Sequence, residues 1–254
     1  MNGTYHSLPY LEFHITDHCN LNCKSCTHFA PLSKENYLST DSFIKDMTRL
    51  SQLFANISRM RILGGEPLLH PQVSFFLESS RSFFPNCKIS LVTNGILLPS
   101  MDLSFYQALK ANNVSLDITV YPIAKDDMTS KALLASKYDI PIEYQNVEYF
   151  CRFLNETGDS NKNKTHAQCW INYCTFLREG KIYPCCIPAL AHLPNKAFSW
   201  DIPCDGFIDI HTAVSASHIL EFIRRPIAAC AYCTKPVWSP WGLSDRHPDE
   251  WIVE

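Results

Sequence analysis

The chain has 254 residues, 46% apolar and 19% charged, with a formal net charge of −3. That is a globular composition with material for a substantial core, and it excludes a disordered or fibrous protein. No run of Lys or Arg offers the footprint of a nucleic-acid-binding or anionic-lipid-binding protein. Neither a basic-then-apolar leader nor an uninterrupted stretch of 18 apolar residues is present, so a soluble, cytoplasmic protein without a membrane partner is expected.

In chain order, strand-like segments fall at LEFHIT (11–16), RMRILG (59–64), CKISLVT (87–93), SLDITVY (115–121) and PIEYQNV (141–147). Between the first two, Phe43, Met47, Leu50 and Phe54 recur at helical spacing, with Thr40 or Asp41 as N-cap. Pro71 ahead of Val73, Phe76 and Leu77 reads as proline in the first turn of a second helix. Strands alternating with helices at this period indicate successive βα units on a parallel sheet, open or curled into part of a barrel. In such folds ligands bind where the βα loops gather, at the C-terminal strand ends. Those loops are TDHCNLNCKSC, GGEPLLHP, TNGILL and YPIAKDD. After Val147 the periodicity fades, and residues 148–168 read as a polar linker. A boundary near 160 divides the chain into 1–160 and a short-stranded, cysteine-rich remainder, 161–254, whose core is too small to stand without a metal.

Twelve cysteines are many for a reducing compartment, where a disulfide framework would not persist, so metal ligation is their expected use. Three lie between 19 and 26 and seven between 169 and 233, which implies two sites. In CNLNCKSC, Cys19, Cys23 and Cys26 are spaced so that one loop wraps three corners of a cubane [4Fe–4S] cluster. Three thiolates leave one metal position open to an outside ligand, and an open position implies chemistry. The next loop, Gly64-Gly65-Glu66-Pro67, offers close backbone approach, a carboxylate and a stiffened turn, a set that suits an ammonium group.

The two motifs, in this order after consecutive strands, resemble those of the radical SAM superfamily over residues 11 to 147. The resemblance implies a partial (β/α) TIM-like barrel of about five to six βα units. It further implies that S-adenosylmethionine chelates the open iron and that Gly64, Gly65 and Glu66 hold its amino group. Asn94 of Thr93-Asn94-Gly95 and Thr119, where the family often places a ribose contact, are softer matches; a turn residue and a strand hydroxyl are the alternative readings. One departure stands out: the aromatic residue usual before the third cysteine is Ser25 here. His28 and Phe29 follow, and Phe29 either packs adenine or belongs to the core.

The tail resembles the SPASM and twitch appendages of the same superfamily. There Cys169, a hairpin glycine (Gly180), Cys185 and the pair Cys230 and Cys233 would bind an auxiliary [4Fe–4S] cluster. No cysteine follows Cys233, so one such cluster, the twitch form, is implied. Cys174 is the alternative to Cys169, and Cys186 to Cys185. Cys87 and Cys151 have no assigned role, and Cys204 is either an idle thiol or a hydrogen-atom donor. The implied function is reductive cleavage of S-adenosylmethionine to a 5′-deoxyadenosyl radical and hydrogen abstraction from a small polar substrate, a sugar, aminosugar or cyclitol. Net oxidation would be helped by the auxiliary cluster, and flavodoxin or ferredoxin would serve as electron donor. Length and cluster pattern resemble the 2-deoxy-scyllo-inosamine dehydrogenase of aminoglycoside synthesis. The alternatives are a peptide or protein maturase, a radical epimerase and, from another class, a non-enzymatic zinc-binding module.

Overall fold

All five strand-like segments are strands in the computed structural model, which describes residues 6–123 and 137–253. They are β1 (Ser7–Thr16), β2 (Asn56–Gly64), β3 (Lys88–Thr93), β4 (Val114–Val120) and β5 (Ile142–Asn146). Each pairs in parallel with the next. The YPIAKDD loop lies from residue 124 onward outside the described residues. These strands belong to one compact unit, formed by residues 1–20 and 35–148; residues 21–34 and 149–254 form a second. The architecture is α/β, a partial barrel-type sheet of βα units.

Side chains alternate across the sheet, and the two faces differ in kind. Leu11, Phe13 and Ile15 of β1 share one face with Met60, Ile62, Ile89, Leu91, Leu116 and Ile118, all buried. Helix α1 (Thr40–Leu53) covers it with Phe43, Met47 and Leu50, and α2 (Val73–Phe83) with Phe76 and Leu77. The Phe43 ring meets Phe13 at 5.2 Å and Phe76 at 5.0 Å. Each such ring, taken from water, contributes about 1.5–3 kcal/mol. Helix α3 (Leu103–Ala111) is capped by Asp102, whose carboxylate accepts from Phe105 N.

The opposite face is polar. Register places Tyr10, Glu12 and His14 of β1 on the side of Arg59 and Arg61 of β2, Ser90 of β3, Asp117 and Thr119 of β4, and Glu143 and Gln145 of β5. A closed (β/α) barrel fills its interior with branched apolar side chains. This sheet carries charge there instead.

In the second unit, β7 (Phe176–Arg178) and β8 (Lys181–Tyr183) form the hairpin expected from EGKIYP, and β9 (Ile208–Asp209) adds to β8. Glu179 and Gly180 both have positive φ, 51° and 71°, as a two-residue type I′ turn demands. A second ladder pairs β6 (Tyr149–Leu154) with β10 (Cys233–Pro240), antiparallel.

Three local expectations are corrected. The cap of α1 is Ser39, whose hydroxyl accepts from Ser42 N at 3.1 Å, rather than Thr40 or Asp41. Pro71 precedes α2, which starts after Gln72. The presumed linker contains β6 and α4 (Lys162–Ala167), the latter capped by Asn161 through the N–H groups of Asn163 and Lys164. Among the described residues no helix is long and apolar enough to cross a membrane.

Candidate functional site

The end of β2 lies so close to the end of β1 that no side chain fits between them. A Cβ on Gly64 would stand 2.1 Å from the Thr16 carbonyl oxygen, and one on Gly65 2.2 Å from that of His18. The backbone hydrogen bonds Gly65 N to Thr16 O, 2.9 Å, and Glu66 N to His18 O, 3.0 Å, close the gap. The glycines therefore serve a chain-to-chain approach. The Glu66 carboxylate is buried and accepts from Thr93 Oγ1 at 2.6 Å, Asn94 N at 2.9 Å and Leu68 N at 3.1 Å. It ties the second loop to the third. The Asn94 amide continues the chain of contacts, donating to Asn20 Oδ1 at 2.7 Å and lying 3.8 Å from Cys19 Sγ. The structure thus brings together Gly64, Gly65, Glu66, Asn94 and Cys19. Thr119 sits at the C-terminal end of β4, in register opposite Gln145 of β5.

Cys23 and Cys26 belong to the second unit, where residues 241–251 grip their turn. Lys24 N donates to Gly242 O at 2.9 Å, Ser244 N to Asn22 O at 2.8 Å, and Asn22 Nδ2 to Ser244 O at 2.6 Å. The Trp251 indole N–H donates to Cys26 O at 2.8 Å, and the Ser25 hydroxyl to Glu250 O at 2.6 Å. That accounts for the departure at position 25: Ser25 is buried with φ 59° and has no room for an aromatic ring. Phe29 is wholly buried against Trp251, a core position. Burial pushes the Cys23 thiol up to about 12, and a hydrogen bond from Trp241 opposes the shift. A metal cation is what such desolvated sulfurs need to ionise.

Cys169, Cys185, Cys230 and Cys233 converge. Burial raises the Cys185 thiol well above its ordinary range, and the nearby Cys233, Cys169 and Cys230 add to the shift. Cys233 is raised by burial and then by Cys169 and Cys230. Among the described residues no three of these sulfurs lie within 4.8 Å of one another. Of the remaining thiols, Cys87, Cys151 and Cys186 are buried, Cys174 is half-buried, and exposed Cys204 lies near Ile202 O and Asn195 Nδ2.

The residues that sequence reasoning missed are those of the polar sheet face. Glu12 is buried, and desolvation lifts its carboxyl to about 7 against the opposing hydrogen bond from Tyr10 and the charge of Arg61. Asp117 receives Ser90 Oγ at 3.0 Å and lies 3.3 Å from both guanidinium groups, of Arg59 and Arg61. Asp117 Oδ1 and the Nε atoms of Arg59 and Arg61 are buried without a hydrogen-bond partner among the described residues. Buried polar atoms left so point to a polar occupant. The alternation of polar and apolar residues was readable in the sequence; that Glu12, Ser90 and Asp117 on the polar side are buried was not.

The profile of the Radical SAM superfamily matches residues 13–127. This span contains the end of β1, β2 to β4 and all three glycine- and cysteine-bearing loops just described. Residues 13–127 form a radical SAM domain. Its cofactors are S-adenosylmethionine and a [4Fe–4S] cluster. The chain is 33% identical over 141 residues to a GTP 3',8-cyclase of Aliarcobacter butzleri, covering 52% of this chain and 43% of the relative. It is 34% identical over 118 residues to that of Trichodesmium erythraeum, covering 44% and 35%. The chain thus spans less than half the length of these relatives. The solved structure of BtrN in complex with AdoMet and 2-DOIA is similar over 91% of this chain and 95% of its own, with TM-score 0.58 and 17% identity. His6-tagged anSMEcpe with bound AdoMet is similar over 90% and 83%, with TM-score 0.54 and 16% identity. At that identity the likeness shows a common fold.

Three substitutions test this architecture. Gly65→Ala should destabilise the purified protein by about 1–3 kcal/mol in denaturant unfolding, because backbone must shift. Gly242→Ala, whose Cβ meets nothing within 4 Å, should be neutral within about 0.5 kcal/mol. Trp251→Phe keeps the ring against Phe29 but loses the bond to Cys26 O, worth about 1 kcal/mol. Iron should then pass to a chelator several-fold faster, and an unchanged rate would remove Trp251 from the cluster's support.

Proposed function

We propose that the chain is a radical SAM oxidoreductase that oxidises a carbinol carbon of a small polar substrate, a sugar, aminosugar or cyclitol. The observation that carries this reading is the buried polar face of the sheet, where Glu12, Arg61, Ser90 and Asp117 offer donors and acceptors to a molecule of hydroxyl and amino groups. Over nearly its whole length the chain is similar in fold to BtrN, whose solved complex holds AdoMet and 2-DOIA. The GTP 3',8-cyclases match about half of the chain, so they support the domain's chemistry and leave the substrate open.

When bound, the cofactors supply a 5′-deoxyadenosyl radical that removes the carbinol hydrogen and, at an auxiliary [4Fe–4S] cluster, an acceptor for the remaining electron. The protein is left the hydroxyl proton. Glu12 is the group for it: buried, on the polar face, and held near 7, where its proton affinity matches the medium. Arg61 and Tyr10 position its carboxylate. Cys169, Cys185, Cys230 and Cys233 would hold the auxiliary cluster, since four thiols close every position. Cys19, Cys23 and Cys26 would hold the SAM-binding cluster. Gly64, Gly65 and Glu66 would shape the loop that meets the methionyl end of S-adenosylmethionine, and Asn94 and Thr119 would lie toward its ribose. An external carrier such as flavodoxin or ferredoxin would deliver the reducing electron.

Glu12 accepts a proton only when ionised, so product formation should fall as pH drops through about 7. Glu12→Gln should flatten that limb and slow product formation by about 10²-fold while 5′-deoxyadenosine still forms. A variant with the wild-type pH profile would exclude Glu12 as the base. GTP consumed in the same assay, with no sugar or cyclitol oxidised, would move the substrate to a nucleotide. Cys185→Ala should lower iron from about eight to about four per chain and abolish oxidation without abolishing cleavage of S-adenosylmethionine. Full iron in that variant, or zinc in the wild type, would overturn the auxiliary cluster.

A further inference from the structure

The second unit carries a surface that the proposed reaction does not use. A cleft of about 400 Å3 opens beside α4 and β10, and its lining includes Cys169 and Cys233. Lys164 and Lys235 stand in its walls, which contain no acidic side chain. Lys162 is exposed on the same helix. The nearest acids in sequence, Glu156 and Asp159, are not among the lining residues.

Apolar surface continues outward from this cleft. Trp170, one of its walls, rests edge-on against Phe153 at 5.8 Å and meets Trp238 at 6.2 Å. Both indoles remain more than half exposed, at 53% and 59%, and Tyr173 and Val237 are exposed as well. Trp238 sits on β10, a strand paired with β6 on one side. Two neighbouring exposed tryptophans rimmed by lysines have the anatomy of a contact patch, with aromatic anchors for affinity and a charged margin for steering. A small anion would occupy the cleft and leave the indoles bare, whereas a protein covers both.

We propose that this face docks an acidic one-electron carrier protein, flavin- or iron–sulfur-based, in its oxidised form, so that the one electron left on the auxiliary centre by substrate oxidation would pass to it across the Cys169 and Cys233 edge. The inference rests on the auxiliary-cluster reading. Charge selects the partner: Lys162, Lys164 and Lys235 form a positive rim with no acid in the cleft, so the complementary surface is negative.

The test is calorimetric titration of the anaerobically purified holoprotein with an oxidised acidic flavodoxin and, in parallel, an oxidised acidic ferredoxin, at low and at physiological ionic strength. Iron is counted on each sample. Wild-type affinity should fall as salt rises. Lys164→Glu with Lys235→Glu should weaken binding by at least about tenfold at low salt and abolish the salt dependence. Trp238→Ser should weaken it by about tenfold while the salt dependence remains. Should charge reversal reduce solubility, Lys164→Gln with Lys235→Gln gives the same direction with a smaller change. Wild-type protein that binds neither carrier, or variants that bind as the wild type does, with about eight irons present, would overturn the docking face alone. About four irons in the wild type would overturn the auxiliary cluster and with it the redox purpose of the face, whatever the affinity.

Discussion

The close approach of two backbones at Gly64 and Gly65 is the constraint on which the rest of the radical SAM site depends. With the Thr16 and His18 carbonyls barely beyond contact, the chain leaves β2 along one path only, and that path carries Glu66 inward. There the carboxylate has no water, so its charge is compensated by hydrogen bonds from Thr93, Asn94 and Leu68. Because Asn94 is held by its own N–H, its side-chain amide is free to reach Asn20 and the Cys19 sulfur. The orientation of the Cys19 thiol is thus set three contacts away, by the absence of a Cβ. Such outer contacts tune a metal site nearly as much as its ligands do.

The two faces of the sheet divide labour. On one, phenylalanines packed at about 5 Å from ring to ring supply cohesion that depends on area alone. On the other, two arginines share one aspartate, and some of their buried polar atoms have no hydrogen-bond partner among the described residues. That arrangement costs stability in isolation. A sheet selected only for stability would fill this face with valine and leucine, so the cost is evidence of use.

Much of this was legible, for identifiable reasons. β1 to β5 announced themselves because half-buried strands alternate and their loops carry Gly and Pro. Cysteine spacing alone proposed two sulfur sets, and the structure gathers the distant Cys169, Cys185, Cys230 and Cys233. What stayed hidden depends on distance along the chain. Ser25 looked like a departure until its partner, the Glu250 carbonyl, was in view, 225 residues later. The stretch 148–168 read as a linker because Asn, Lys and Ser dominate it, yet the same Asn161 that lowers helix propensity caps α4. Glu12 lies within an apolar run that reads as an ordinary strand, and nothing local signals that its carboxyl is desolvated.

The grip of residues 241–251 on the turn at 22–26 also orders events in time. Chains are made from the N-terminus, so Cys23 and Cys26 emerge early, in a turn whose hydrogen-bonding partners, Gly242, Ser244, Glu250 and Trp251, do not yet exist. Until those residues are made, the loop lacks the hydrogen bonds that they supply. Its final shape, and the shape of any cluster seat built on it, is a property of the finished polypeptide.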